Sequence, residues 1–274
     1  MMASKKMNTY ESWASEISTL TGKAVTRQAV DNRMNTTTHF LLKKLMEEKL
    51  TASIAQSNLK AKQEVVTSKF RSITIEDSTT LSLPAELSAT FPGNVSKGKR
   101  KSQAKIHALY NFTANAFSLF DIHSYSQNDQ SLASHSLPNL ECGDLLLRDM
   151  EFFKIAVLKK FNADGIQFIT RKTANVKVYD VATGVELNLV KQLRKNGYWD
   201  EDVLVGIDEQ PKLRLVITPL PATQAAERRR KAKQDRDKRL NHSKGYYTLL
   251  GYAIYLTNIG EIARQNREKG CACL

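Results

Sequence analysis

Cysteine is scarce in this chain: three in 274 residues, Cys142, Cys271 and Cys273. An odd count without zinc-ligand spacing excludes a disulfide-framed secreted module and a cysteine zinc site, and it suits a reducing cytoplasm. Long apolar runs are missing as well. The longest, Tyr246 to Leu256, is far short of the roughly 18 residues a membrane helix needs, and the N-terminal Met1-Met-Ala-Ser-Lys-Lys-Met-Asn8 has no apolar signal region. There is no Gly-rich phosphate loop and no internal repeat. The five histidines are scattered, which argues against a zinc enzyme; His107, His123, His135 and His242 are read as packed or solvated.

Acidic residues are outnumbered, 28 against 41 basic, for a net charge of +13. The excess is concentrated. Lys97 to Lys105 holds Lys97, Lys99, Arg100, Lys101 and Lys105 with no acidic residue, and Glu227 to Lys244 holds nine basic residues against three acidic. Charge focused in two patches fits a polyanion, because each neutralised phosphate releases condensed counterions. Arg228, Arg229, Arg230 and Lys231 are therefore expected to contact phosphate, against the plainer reading of a solvated helix face.

Residues 1–69 read as a helical, DNA-binding-like domain. Tyr10, Trp13, Ala14, Ile17 and Leu20 repeat at helical spacing, Gly22 breaks the pattern, and Thr26 can cap a second helix beginning at Arg27. A third amphipathic run, Phe40 to Met46, would pack on the first two. Arg27, Gln28, Asn32 and Arg33 on the exposed face suit base edges and phosphates.

From Arg71 the period changes to strands: Arg71–Glu76, Gln103–Tyr110, Ala116–Tyr125, then a buried Leu145–Leu147 strand, an amphipathic helix carrying Phe153, Val157 and Phe161, and an Ile166–Ile169 strand. That succession is α/β. Residues 70–172 are read as the first part of a core and 173–222 as a β-rich insertion with strands at Val176–Val181, Val185–Val190, Val203–Ile207 and Leu213–Leu220. Residues 223–244 form a basic helical segment, and 245–274 contain a core strand, Leu249–Asn258, and a tail.

Two aspartates follow apolar strands: Asp77 in Arg71-Ser-Ile-Thr-Ile-Glu-Asp-Ser-Thr-Thr80, and Asp149 in Gly143-Asp-Leu-Leu-Leu-Arg-Asp-Met-Glu-Phe-Phe153. Ile73 and Ile75 alternate with Ser72, Thr74 and Glu76, so the expectation is a buried isoleucine face that Asp77 continues, with Glu76 pointing away. Two-metal phosphoryl chemistry needs oxygen ligands converging from separate elements onto ions about 3.5–4 Å apart. The bland alternative is a pair of strand-end or helix-capping carboxylates.

Four segments in order, Ile75–Pro84, Gly143–Phe153, Phe168–Arg171 and Tyr255–Ile259, resemble the landmarks of the DDE transposases of bacterial insertion sequences. In that family the first Asp lies in an Asp-x-Thr strand end and the second in an Asp-x-x-Phe/Tyr turn, which Asp77 and Asp149 match. Met150-Glu151 departs from the Gly usual at the second turn. The resemblance implies a ribonuclease H-like core with its first and fourth strands adjacent, Asp77 and Asp149 as catalytic metal ligands for Mg²⁺ or Mn²⁺, Thr79 and Thr80 near Asp77, and the cations of Lys97–Lys105 at the mouth of the site. It further implies double-stranded DNA (element ends and target) as partner, a homodimer on DNA, no small-molecule substrate, and a bacterial, nucleoid-associated protein. The activity implied is cleavage and strand transfer.

The family's third carboxylate, a Glu on a long helix, is expected a few dozen residues after Thr257-Asn258. The chain ends at Leu274 with only Glu261 and Glu268 in that tail. A truncated, catalytically inactive DNA-binding product acting as a transposition inhibitor or relic is therefore the alternative expectation.

Overall fold

The computed structural model describes residues 9–35, 37–38, 41, 44–45, 69–96, 98–173, 176–208, 210–234 and 243–260, with the backbone alone described at 96, 99, 100 and 194–196. The chain divides into two compact units, Met1–Gln56 and Ser57–Leu274.

In the first unit, α1 (Tyr10–Thr21) starts where the Thr9 hydroxyl accepts from Ser12 N and stops where Gly22 takes a left-handed φ of 67°. Its amide then reaches the Ser18 carbonyl, satisfying an otherwise orphaned acceptor. Helix α2 (Arg27–Asp31) begins at Thr26, whose hydroxyl accepts from Ala29 N. The Thr26 cap is the one read from the sequence. Ala14 and Val30 are the buried side chains of the pair. Most of the Phe40–Met46 run lies outside the described residues.

The second unit is built on one mixed sheet of ten strands. In chain order these are β1 (Ile73–Leu83), β2 (Pro92–Ser96), β3 (Lys99–Asn111), β4 (Ala116–Ser124), a short helix α3 (Asp129–Leu132), β5 (Leu145–Arg148), α4 (Ile155–Ala163), β6 (Gln167–Arg171) and β7 (Val178–Asp180). Then follow α5 (Leu189–Asn196), β8 (Trp199–Val205), β9 (Lys212–Pro219), α6 (Ala222–Lys233), α7 (Lys244–Leu249) and β10 (Tyr252–Thr257). The spatial order is β2-β3-β1-β5-β6-β10-β9-β8-β7, with β4 also on β3. Only β1/β5 and β5/β6 are parallel. Parallel neighbours need a crossover, which α4 supplies between β5 and β6. Its Val157, Leu158 and Phe161 join Leu146, Phe152, Phe168 and Leu256 in the core.

Strand register is pinned by buried polar groups as well as by apolar packing. Asp144, at the foot of β5, takes two hydrogen bonds from Arg71 (2.9 and 2.6 Å) and one from Ser72 (2.7 Å), tying the starts of β1 and β5 together. Asn258, 1% exposed, donates to Asn162 of α4 and to the Ile166 carbonyl and accepts from Phe168 N, so its amide ties the end of β10 to α4 and β6. Gly165 permits the α4–β6 turn: its φ is +71° and a Cβ there would come within 2.7 Å of Cys142 Sγ.

The 173–222 region, read as a β-rich insertion, lies in the same sheet as the rest, since β9 pairs with β10. Two sequence expectations change. Val185–Val190, read as a strand, gives only an isolated bridge, Tyr179 to Glu186, before α5 begins under an Asn188 cap. Asn188 accepting from Lys191 N offers the backbone a helical start that outweighs the β-branched residues around it. The core strand read at Leu249–Asn258 starts later, at Tyr252, because Leu249 closes α7.

Candidate active site

Asp77 does not end a strand. β1 runs on to Leu83, and Asp77 pairs with Ala108 of β3. What ends there is the parallel ladder to β5, whose last rung is Glu76 with Arg148. Asp77 and Asp149 each stand one residue beyond that rung on neighbouring strands, which in a sheet lie about 4.8 Å apart. Because side chains alternate, both leave the sheet on the same face. The next ladder, Arg148 to Thr170, sets Arg171 beside Asp149, with Nη1 3.8 Å from Oδ1. Tyr255 pairs with Arg171 and extends the row.

The carboxylates in this row are open to a ligand. Asp77 is exposed and accepts only from the amide of Ser78, at 2.8 Å. Asp149 is 43% exposed at its side chain and occupies the capping position of the 3-10 turn Met150–Phe152, yet its side chain makes no capping hydrogen bond. The capping alternative therefore has no support at Asp149. Two hard, accessible carboxylate groups on adjacent strands are a donor set that fits a hard divalent cation.

Behind the row the sheet inverts the expected burial. Thr74 and Glu76 are 1% and 2% exposed, while Ile75 is 38% exposed, so Glu76 points into the protein and not away from it. The reason lies in its partners. Glu76 Oε1 is 3.0 Å from His107 Nε2, and Oε2 is 3.0 Å from Arg148 Nη2, off hydrogen-bond alignment, with both side chains of this ion pair fully buried. The Arg148 guanidinium stacks 5.5 Å from the Phe152 ring and 5.3 Å from Phe161, and donates to the Ala133 carbonyl at 3.1 Å. Burial pushes its pKa down and the Glu76 carboxylate opposes that shift. The histidines are not scattered either: His107, His123 and His135 converge on this face.

A family model for the transposase DDE domain matches residues 68–260, which spans both aspartates and every strand of the sheet. The chain belongs to the transposase DDE domain family. It is 24% identical over 264 residues to the transposase for insertion sequence element IS231E of Bacillus thuringiensis subsp. finitimus, covering 89% of this chain and 55% of that protein. It is 27% identical over 209 residues to the IS231D transposase of the same subspecies, covering 69% and 44%. To the IS1151 transposase of Clostridium perfringens it is 24% identical over 217 residues, covering 72% and 45%. The chain thus spans about half the length of the curated relatives it matches.

Within this DDE domain the expected cations separate by environment. Lys105 is 8% exposed and its ammonium lies 3.0 Å from Asp129, so it is a buried structural pair and not a surface contact to nucleic acid. Lys101 is exposed. Lys97, and the side chains of Lys99 and Arg100, lie outside the described residues. On α6, Arg230 and Lys231 are exposed, Arg229 is exposed but donates to the Tyr247 carbonyl at 3.0 Å, and Arg228 is half-buried with Nη1 3.4 Å from the Tyr252 carbonyl. In the first unit Arg27, Gln28 and Arg33 are exposed; Arg27 pairs with Glu11 at 3.1 Å and Arg33 donates to the Ala29 carbonyl. Thr79 and Thr80 are exposed on β1, and Glu261 and Glu268 lie outside the described residues. Among the described residues no helix is long and apolar enough to cross a membrane.

Sequence reasoning assigned no role to Arg171 and Lys172. A cleft lined by Met150, Arg171, Lys172, Arg228, Tyr246 and Tyr252 opens beside the Asp149 turn. Burial lowers the Lys172 pKa to about 8. Arg171 closes β6 one residue past the Arg148–Thr170 rung, the same rung that Asp149 follows on β5.

Proposed function

We propose that this chain carries the catalytic core of an insertion-sequence transposase, a ribonuclease H-like domain that acts on double-stranded DNA. The observation that supports the reading best is the shared offset of Asp77 and Asp149 past the Glu76–Arg148 rung, which presents two solvent-accessible carboxylates on one face. Asp77 and Asp149 would hold Mg²⁺ or Mn²⁺. Such an ion, when bound, polarises the scissile phosphate and lowers the pKa of the attacking water or 3′ hydroxyl.

The protein's own contribution is placement. The buried Glu76–Arg148 pair fixes the strand positions from which the two aspartates project. Arg171, beside Asp149, and Arg228 across the cleft are positioned to hold backbone phosphates without reading sequence. Exposed Lys101, Arg230 and Lys231 add to the electrostatic footprint, and Arg27, Gln28 and Arg33 of the first unit supply the end-binding contacts. Working as a dimer on paired element ends, in the bacterial nucleoid, is part of the same proposal.

The test is cleavage of supercoiled DNA carrying the element's ends, in Mg²⁺ and in Mn²⁺, with Asp77→Asn and Asp149→Asn compared with the unaltered protein. Each substitution should abolish cleavage and leave filter-bound DNA affinity within a few-fold. Cleavage that survives either change removes Asp77 or Asp149 from the site.

A further inference from the structure

The convergence of three histidines is separate from the DDE site, because His107 and His123 leave the sheet on the side opposite Asp77. His107 lies on β3 and His123 on β4, two residues apart across the pair, since His107 faces Asp121 and Lys105 faces His123. His135 comes from the turn after α3. Ring centroids are 6.3 Å apart for His107 and His123, 6.2 Å for His107 and His135, and 5.6 Å for His123 and His135. One nitrogen from each ring lies within 4.8 Å of the others. A tetrahedral ion with metal–nitrogen bonds of about 2.0–2.1 Å needs nitrogens about 3.4 Å apart, a contraction that small χ rotations of the three rings supply.

Two further observations point to a ligand. His107 is fully buried and its Nδ1 has no hydrogen-bond partner, and His123 Nε2 is likewise buried without one. Buried imidazole nitrogens left this way are costly, and each calls for a partner. Glu76 explains the tautomer: with its carboxylate oxygen 3.0 Å from His107 Nε2, that nitrogen carries the proton and Nδ1 keeps its lone pair. A carboxylate holding the far N–H of a ligating histidine is the usual outer support of an imidazole metal site. We propose that His107, His123 and His135 bind one divalent cation of the zinc class, with a solvent molecule completing four-coordination and Glu76 orienting His107.

The charges around the site are consistent with a cation. Asp121 Oδ2 is 4.0 Å from His123 Nε2, and the neighbouring Lys105 ammonium is held by Asp129 at 3.0 Å. Burial is the chief cause of a lowered His123 pKa. Imidazole donors select zinc, copper, nickel or cobalt over the magnesium that carboxylates prefer. The bound ion would fasten the turn after α3 to the strands behind Asp77, a structural role distinct from cleavage.

The full 274-residue chain, stripped with chelator, is titrated with ZnCl₂ against a chromophoric competitor and separately with Co²⁺ to record visible absorption. One equivalent should bind, with the intense bands of tetrahedral nitrogen coordination for Co²⁺ and a raised thermal midpoint. His135→Ala, at an exposed position that the fold tolerates, and His123→Gln should each weaken binding at least about tenfold. Cys271→Ser/Cys273→Ser should leave it unchanged. Absence of stoichiometric binding, or binding that survives His135→Ala and His123→Gln together, overturns the site.

Discussion

Glu76 and Arg148 meet at 3.0 Å in the protein interior, and each is the residue immediately before an aspartate, the exposed Asp77 and the half-buried Asp149. A buried pair thus sits directly behind the candidate metal ligands. Removing one partner should strand a charge in a low-dielectric setting. Arg148→Met is expected to destabilise the domain by about 3–5 kcal/mol, measured by urea denaturation. Glu76→Leu/Arg148→Met should recover more than half of that loss. If the double variant is no more stable than Arg148→Met, the pair is not what holds the rung.

The Arg171 guanidinium lies 3.8 Å from Asp149, so it would compete with the cation proposed there and would attract phosphate. Arg171→Ala should therefore lower the half-saturating Mg²⁺ concentration for cleavage by about two- to fivefold, the scale of an exposed ion pair, while weakening DNA binding. Opposite movement of the two quantities is the signature. An unchanged Mg²⁺ requirement together with unchanged DNA affinity would remove Arg171 from the site.

Lys172 titrates at about 8 in the folded protein against 10.5 ordinarily. Between those values the unfolded chain binds more protons than the folded one, so stability rises with pH from about 8 to about 10.5 and is lowest below 8. The contribution is at most about 3 kcal/mol. Lys172→Met should gain stability below pH 8, and the difference between its curve and the wild-type curve should shrink across that window. Parallel curves would show that Lys172 is not desolvated.

Lys231 and Arg230 are exposed, and the Lys231–Glu227 pair at 3.0 Å is of the helical surface type that adds little stability. Lys231→Ala should leave the thermal midpoint nearly unchanged and reduce the slope of log K against log salt for DNA by about 1. Lys105→Ala should do the reverse: it removes the cation from the buried Asp129 pair and destabilises the fold. Salt-slope and melting measurements on both variants separate a phosphate contact from a structural lysine.

The helix caps at Thr9 and Thr26, the continuous apolar run of β5 and the turn after Arg148 are all determined by local sequence, because capping hydroxyls and runs of buried leucine act within a few residues. The two aspartates became candidates for the same reason, through local motifs. Which face of β1 is buried was not. Alternating Ile and Thr residues point to a buried isoleucine face, but Glu76 finds His107 and Arg148 31 and 72 positions along the chain, and those partners make burial of the polar face tolerable. The same holds for Lys105, committed inward by Asp129, and for His107, His123 and His135, which only strand pairing and the turn after α3 bring together. Sequence alone determined which residues could start, stop and line the elements; tertiary structure decided which of their charges are free to meet solvent, because a buried charge is settled by partners distant in sequence.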